Sequence, residues 1–117
     1  MTAGSSADPT MEQMRQMILG YWISQIIGTL ARLGIPDHLA GTPLRADELA
    51  DLIDCHPGAT YRLMRAAKTV GLVVATSDGR FSLTSLGEIL RSEVPSSMRD
   101  VAIAATLPGG GFPGAAE

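Results

Sequence analysis

The stretch GATYRLMRAAKTVGLVVATSDGRFSL, residues 58–83, decides the fold. Leu63, Met64, Ala67 and Val70 recur at helical spacing, so the run opens as a helix over Gly58 to Val70. Gly71 ends that helix. Leu72 to Thr76 is rich in β-branched residues and reads as a strand, and Arg80 to Leu83 reads as its return. Between them Ser77-Asp78-Gly79 supplies the Asp-Gly pair that a tight hairpin turn favours.

Working outward, the pattern stays helical. Pro57 opens the helix already described, after a break at Asp54-Cys55-His56. Ala46 to Ile53 carries Leu49, Leu52 and Ile53 inward and places Asp47 and Glu48 in its first turn, where the helix dipole favours acids. Gly41-Thr42-Pro43 is a turn, preceded by a short helix over Pro36 to Leu39. Downstream, Thr84 or Ser85 caps a short helix containing Leu86, Ile89 and Leu90, with Glu88 placed for a capping box. A last helix covers Met98 to Thr106. The expected class is mainly α: a winged-helix-like domain with a two-stranded β-hairpin wing and the Gly58 to Val70 helix in the recognition position. Residues 1–10 read as a disordered N-terminus, 11–106 as the domain and 107–117 as a flexible tail.

The first helix is the unusual one. It is expected from Met11 to Leu33, with Thr10 as N-cap and Gly34 and Pro36 as its stop. Met11, Met14, Met17 or Ile18, Tyr21 or Trp22, Gln25 or Ile26, and Leu30 with Leu33 form one apolar stripe; Leu19, Ile23 and Ile27 form a second. A helix on the outside of a small domain needs only one. Two stripes call for two burial partners, the domain's own core and a second surface, and each large side chain left in water would cost roughly 1.5–3 kcal/mol. A homodimer is therefore expected, with Met11, Ile18, Leu19, Ile23, Ile26, Ile27 and Leu30 at the interface. Met14, Met17, Tyr21 and Trp22 are candidates for the wall of a substrate pocket, since methionine is adaptable and an indole stacks on flat molecules. A dimer core explains the same cluster more simply.

Composition narrows the remaining classes. With 117 residues, 45% hydrophobic and 18% charged, the chain suits one globular domain. A net charge of −3 argues against a nucleic-acid binder. The alternative, a winged-helix DNA-binding regulator, rests on Arg62, Arg65 and Lys68 with Arg80 in the wing. Asp47, Glu48, Asp51 and Asp54 on the preceding helix oppose it. Cys55 is the single cysteine, which suits a reducing, cytoplasmic setting. Beside His56, and with His38 the only other histidine, it offers too few ligands for a metal and reads as a helix boundary. The start lacks the pattern of a signal peptide. The uncharged stretch Gln16 to Ala31 is interrupted by Gly20, Ser24, Gln25 and Gly28 and is too short to span a bilayer.

No catalytic residue is assigned. Gly109-Gly110-Gly111 follows Pro108 rather than a strand, so it fails the context test for a cofactor loop, and no cofactor is expected in this chain.

The ordered set LARLGIPDHL (30–39), ADELA (46–50), YRLMRAAKTVGLV (61–73) and FSLTSLGEIL (81–90) resembles the N-terminal dimerisation domain of S-adenosylmethionine-dependent O-methyltransferases acting on small aromatic or polyketide-type metabolites. The resemblance covers about Met14 to Thr106. It implies that the domain interlocks with its twin, that the first helix reaches the partner's substrate pocket, and that S-adenosylmethionine belongs to a following domain with a Gly-rich loop. Arg45 departs from the pattern, standing where a hydroxyl residue more often caps the helix.

Overall fold

The computed structural model describes residues 8–106, as six helices and one hairpin in the order α1 (Pro9–Leu33), α2 (Ile35–His38), α3 (Ala46–Ile53), α4 (Pro57–Thr69), β1 (Val73–Ala75), β2 (Phe81–Leu83), α5 (Ser85–Glu88) and α6 (Arg99–Ala105). The architecture is mainly helical with a two-stranded antiparallel sheet. Most of the expected N-terminal disorder (residues 1–7) and the tail (107–117), with its glycine run, lie outside the described residues. Pro9 and Thr10 do not fit that expectation, because both are helical. The cap is Asp8 rather than Thr10: its carboxylate accepts from the Thr10 N–H at 2.9 Å and the Met11 N–H at 3.5 Å. Proline at the first helical position supplies the φ the helix needs and has no N–H to satisfy.

The helix boundaries show how each cap is met. α1 ends on Gly34 in the left-handed region, φ 71°, where its N–H donates to the Ala31 carbonyl. At α3 no hydroxyl caps the start; the Asp47 carboxylate accepts the Glu48 N–H at 3.0 Å, and Glu48 reaches back to accept the Arg45 N–H at 2.8 Å. The break at Cys55-His56 is a helix start: His56 Nδ1 accepts from the N–H groups of Gly58 at 3.0 Å and Ala59 at 3.2 Å. The capping box at α5 forms only by half. Thr84 Oγ1 accepts the Gly87 N–H at 3.1 Å, but the Thr84 N–H donates to the Leu72 carbonyl and Glu88 is held by Arg91.

The hairpin aligns Val73 with Leu83, Val74 with Ser82 and Ala75 with Phe81. It is shorter than the pattern suggests, because Leu72 is still attached to the end of α4 through its N–H to the Ala67 carbonyl. A rung that the pattern did not reveal joins it: Leu44 and Phe81 exchange backbone hydrogen bonds of 3.1 and 2.7 Å, tying the entry to α3 onto the wing.

The core gathers Leu30 and Ile26 from α1, Ile35 and Leu39 around α2, Leu49 from α3, Met64 and Ala67 from α4, Val73 and Phe81 from the hairpin, and Leu90 after α5. Leu52, expected inward, is 55% exposed. The buried face of α3 is Ala46, Leu49 and Ala50 with Ile53 beside it, an i, i+3, i+4, i+7 set from which Leu52 is rotated away.

α6 crosses α1 at a notch. Gly28 lets the side chain of Thr106 lie against the α1 backbone; a Cβ there would overlap Thr106 Oγ1 and stand 2.7 Å from Thr106 Cβ. Arg32 Nη2 completes the contact by donating to the Thr106 carbonyl and to its hydroxyl, both at 2.6 Å. We expect Gly28→Ala to destabilise the protein by about 1–3 kcal/mol through this overlap. Gly20, with nothing within 4 Å of its added Cβ, should instead gain up to about 1 kcal/mol as alanine from helix propensity. Denaturant unfolding of both variants beside the parent measures the contrast.

Candidate functional site

No residue of α1 from Pro9 to Gln25 is buried. Met11, Met14, Met17, Ile18, Tyr21 and Trp22 are all more than 45% exposed, and Tyr21 reaches 70%. Leu19 is 41% exposed. Successive residues turn by about 100°, so Met17, Tyr21, Ile18, Trp22 and Leu19 point in directions spread around the axis rather than along one stripe. Polar side chains concentrate in the first two turns. There Glu12 accepts from Gln16 and from Arg15, both at 2.7 Å, and these two bonds, Gln16 first, hold its carboxyl below the usual carboxylate range.

Of the expected interface residues, Met11, Ile18 and Leu19 are on this open surface and Ile23 is half-buried. Two belong elsewhere. Ile26 (6% exposed) and Leu30 (2%) are part of the protomer's own core and are not on its surface. They sit one and two turns beyond Trp22, on the side where α1 meets the rest of the domain. Ile27 is half-buried and packs against the same core.

A second apolar feature adjoins the first. Between the C-terminal half of α1, α5 and α6 lies a cleft of about 290 Å³ lined by Ser24, Ile27, Leu86, Ile89, Met98, Val101 and Ala105, among others. Its walls carry few polar atoms. Leu86, Ile89, Met98 and Val101 are each at least 42% exposed, so the cleft opens to solvent. Its frame is polar and long-range: the Met98 N–H donates to the Ile89 carbonyl at 2.9 Å, and Asp37 accepts from the Ser92 N–H at 2.9 Å and the Ser92 hydroxyl at 2.8 Å. Sequence reasoning missed this cleft. A partner 55 positions away leaves no periodic signal.

None of the pocket candidates Met14, Met17, Tyr21 and Trp22 lines the cleft. Met14 and Trp22 instead border an open apolar hollow with Met11, Arg15, Ile18 and Leu19, and Trp22 also faces α4. Arg80, the wing cation of the DNA-binding reading, is occupied by Glu48 and Asp78, both at 2.9 Å. The Thr76 hydroxyl and then Arg80 hold the Asp78 carboxyl below its ordinary value. Among the described residues no group of three His, Cys, Asp or Glu side chains could hold a metal, and no helix is long and apolar enough to cross a membrane.

The O-methyltransferase dimerisation-domain model matches residues 15–93. The chain is 36% identical over 99 residues to the phenazine O-methyltransferase PhzM of Lysobacter antibioticus, covering 85% of this chain and 29% of that protein. It superposes with a TM-score of 0.83 on the N,N-8-amino-8-demethyl-D-riboflavin dimethyltransferase RosA of Streptomyces davawensis, at 26% identity over 87% of this chain and 30% of that one. CalO1, a methyltransferase of calicheamicin biosynthesis solved in its SAH-bound form, gives 0.74 at 30% identity, with 92% of this chain and 31% of CalO1 covered. The chain thus spans less than a third of the length of these relatives. None of the matches supports a DNA-binding role.

The clasp at Asp37 gives the stability of the fold a pH dependence. Burial pushes this carboxyl up, but the two Ser92 hydrogen bonds, aided by Arg99 and Arg91, outweigh it and hold the folded value below the usual range. Its contribution is therefore present above the ordinary carboxylate pKa and is lost as pH falls through the lower folded value. We expect Asp37→Asn to cost about 1 kcal/mol near pH 6, with the gap from the parent closing in strong acid. Urea unfolding at a series of pH values reads both.

Proposed function

Because this chain belongs to the O-methyltransferase dimerisation-domain family, we propose that it is the module through which two copies of a small-molecule methyltransferase join as a homodimer, with α1 as the joining element. The observation that carries this reading is the apolar run Met17 to Ile23 of α1, continued outward by Met11 and Met14, whose large side chains are left open or only half-buried by their own protomer. A helix of that character is stable when other protein surrounds it. Bringing its half-exposed side chains out of water returns about 1 kcal/mol for each. A symmetric pair presents every such surface twice.

The open cleft beside Ile27 and Val101 extends the reading. A face-to-face pair of α1 helices would cover one side of each, and the cleft is an apolar surface able to take another part of the partner, giving the interlocked arrangement that the sequence resemblance implies. Met14, Met17, Tyr21 and Trp22 would then stand at the boundary between the copies, where a bound aromatic molecule could touch them. The winged-helix-like arrangement of α3, α4 and the hairpin serves here as scaffold.

In a longer enzyme of this family, the methyl donor is S-adenosylmethionine and the acceptor a small aromatic or polyketide-type molecule, in a cytoplasmic setting. The cleft has hydroxyls at Ser24 and Thr106 and no carboxylate, so it does not fit a cationic sulfonium. We assign the donor to the parts of such an enzyme that lie outside the shared region, and derive no step of methyl transfer from these residues.

Light scattering at micromolar concentration tests the joining role, with a dimer mass expected. Met14→Glu combined with Ile18→Glu should yield a folded monomer, because both positions are outside the core; helical content retained at half the mass supports the proposal. A parent chain that is monomeric over this range overturns it.

A further inference from the structure

The nine lysines and arginines are not treated alike by the fold. Arg15, Arg45, Arg80, Arg91 and Arg99 each meet a carboxylate within 4.0 Å, and Arg32 bonds to the Thr106 carbonyl. The other three, Arg62, Arg65 and Lys68, have no acidic partner among the described residues and all stand on α4. That helix contains no acid at all. In a chain of net charge −3, its outer face is a concentrated unneutralised cation.

Lys68 has a local reason to be there, since it is in the last turn of α4, where the helix dipole attracts positive charge. Arg62 and Arg65 lie earlier, beyond the reach of that effect. They have a different neighbour. Together with Ala66 and Thr69 they form one side of an open hollow of about 320 Å³, and the indole of Trp22 on α1 forms the other. Trp22 is 46% exposed. Arg65 is already arranged by its own helix, its guanidinium carbon 5.9 Å from the Tyr61 ring centroid, which leaves its outer N–H groups free to donate. Trp22 and Ser24 are about 200° apart around α1, so this hollow and the apolar cleft occupy opposite sides of the helix.

We propose that the hollow between α1 and α4 binds a planar aromatic anion, with its ring on Trp22 and its carboxylate or equivalent group on Arg62 and Arg65. The chemistry matches in each part. A guanidinium fork holds a planar oxyanion through paired, charge-assisted bonds, which an ammonium does less well. An exposed indole offers a flat apolar face. Ala66 leaves room between them. Trp22 also belongs to the joining surface of α1, so the proposal rests on that reading leaving the α4-facing side of the indole open in the pair.

Trp22 is the only tryptophan, so its fluorescence reports on the hollow directly. The 117-residue chain is titrated with benzoate and with its neutral isostere benzamide. Saturable quenching by benzoate, with benzamide at least tenfold weaker, is the expected result. Arg62→Gln with Arg65→Gln should weaken benzoate at least tenfold while circular dichroism and mass by light scattering stay as in the parent, and Arg99→Gln should leave the affinity unchanged. Equal response to the two probes, no saturation, or an unaltered affinity in the double variant overturns the proposal. So does inorganic phosphate competing as strongly as benzoate, since that would mean a site for charge alone. An acidic partner protein that binds through Arg62 and Arg65 while benzoate does not would overturn it as well.

Discussion

Everything in this fold depends on how one long helix divides its apolar surface. The last third of α1 is ordinary: Ile26, Leu30 and Ala31 enter the core beside Ile35 and Met64 and anchor the helix. The other two-thirds has polar residues at its outer end but a run of large apolar ones from Met17 to Ile23, none of them buried. Domains bury helices by covering one stripe. Here the covering is incomplete within one protomer, and the remaining elements are arranged to support the part that projects.

The supporting elements are small and their contacts local. α3 and α4 pack on each other and on the wing, and the Leu44 to Phe81 rung fastens the start of α3 to the hairpin. α5 and α6 are joined by an irregular stretch fixed through Ser92 to Asp37. These parts yield a firm base for α1 and leave an apolar cleft at its side. The charges follow the same division: carboxylates neutralise the cations near the wing and near α6, and α4 alone keeps a free positive face.

Much of this was legible in the residue pattern because the signals were local. Gly71, Asp78-Gly79 and the spacing of Leu63 to Val70 placed α4 and the hairpin to within a residue or two. Gly34 and Pro36 placed the end of α1. The excess of apolar residues on that helix was also visible, but the division of them was not. Ile26 and Leu30 look like Ile18 and Leu19 in sequence, and only the position of α2 and α4 in space decides which are enclosed. Leu52 was misread for the same reason, an apolar residue assigned inward without knowing the core's direction. Asp8 displaced Thr10 as the cap because Pro9 suits the first helical position, which puts the cap one residue before it. The Asp37 clasp, the Gly28 notch and the cleft arise from contacts between distant segments, which no periodicity encodes.

The notch where Thr106 enters against Gly28 has a mechanical consequence. Arg32 and that close backbone approach fix where α6 crosses α1, near one end of a long helix. From Gly28 to Met11 the helix is roughly 25 Å long, so a rocking of about 10° at the crossing sweeps its tip through about 4 Å. A small change of angle at this crossing is thus magnified at the far end of α1, and a glycine sets the angle.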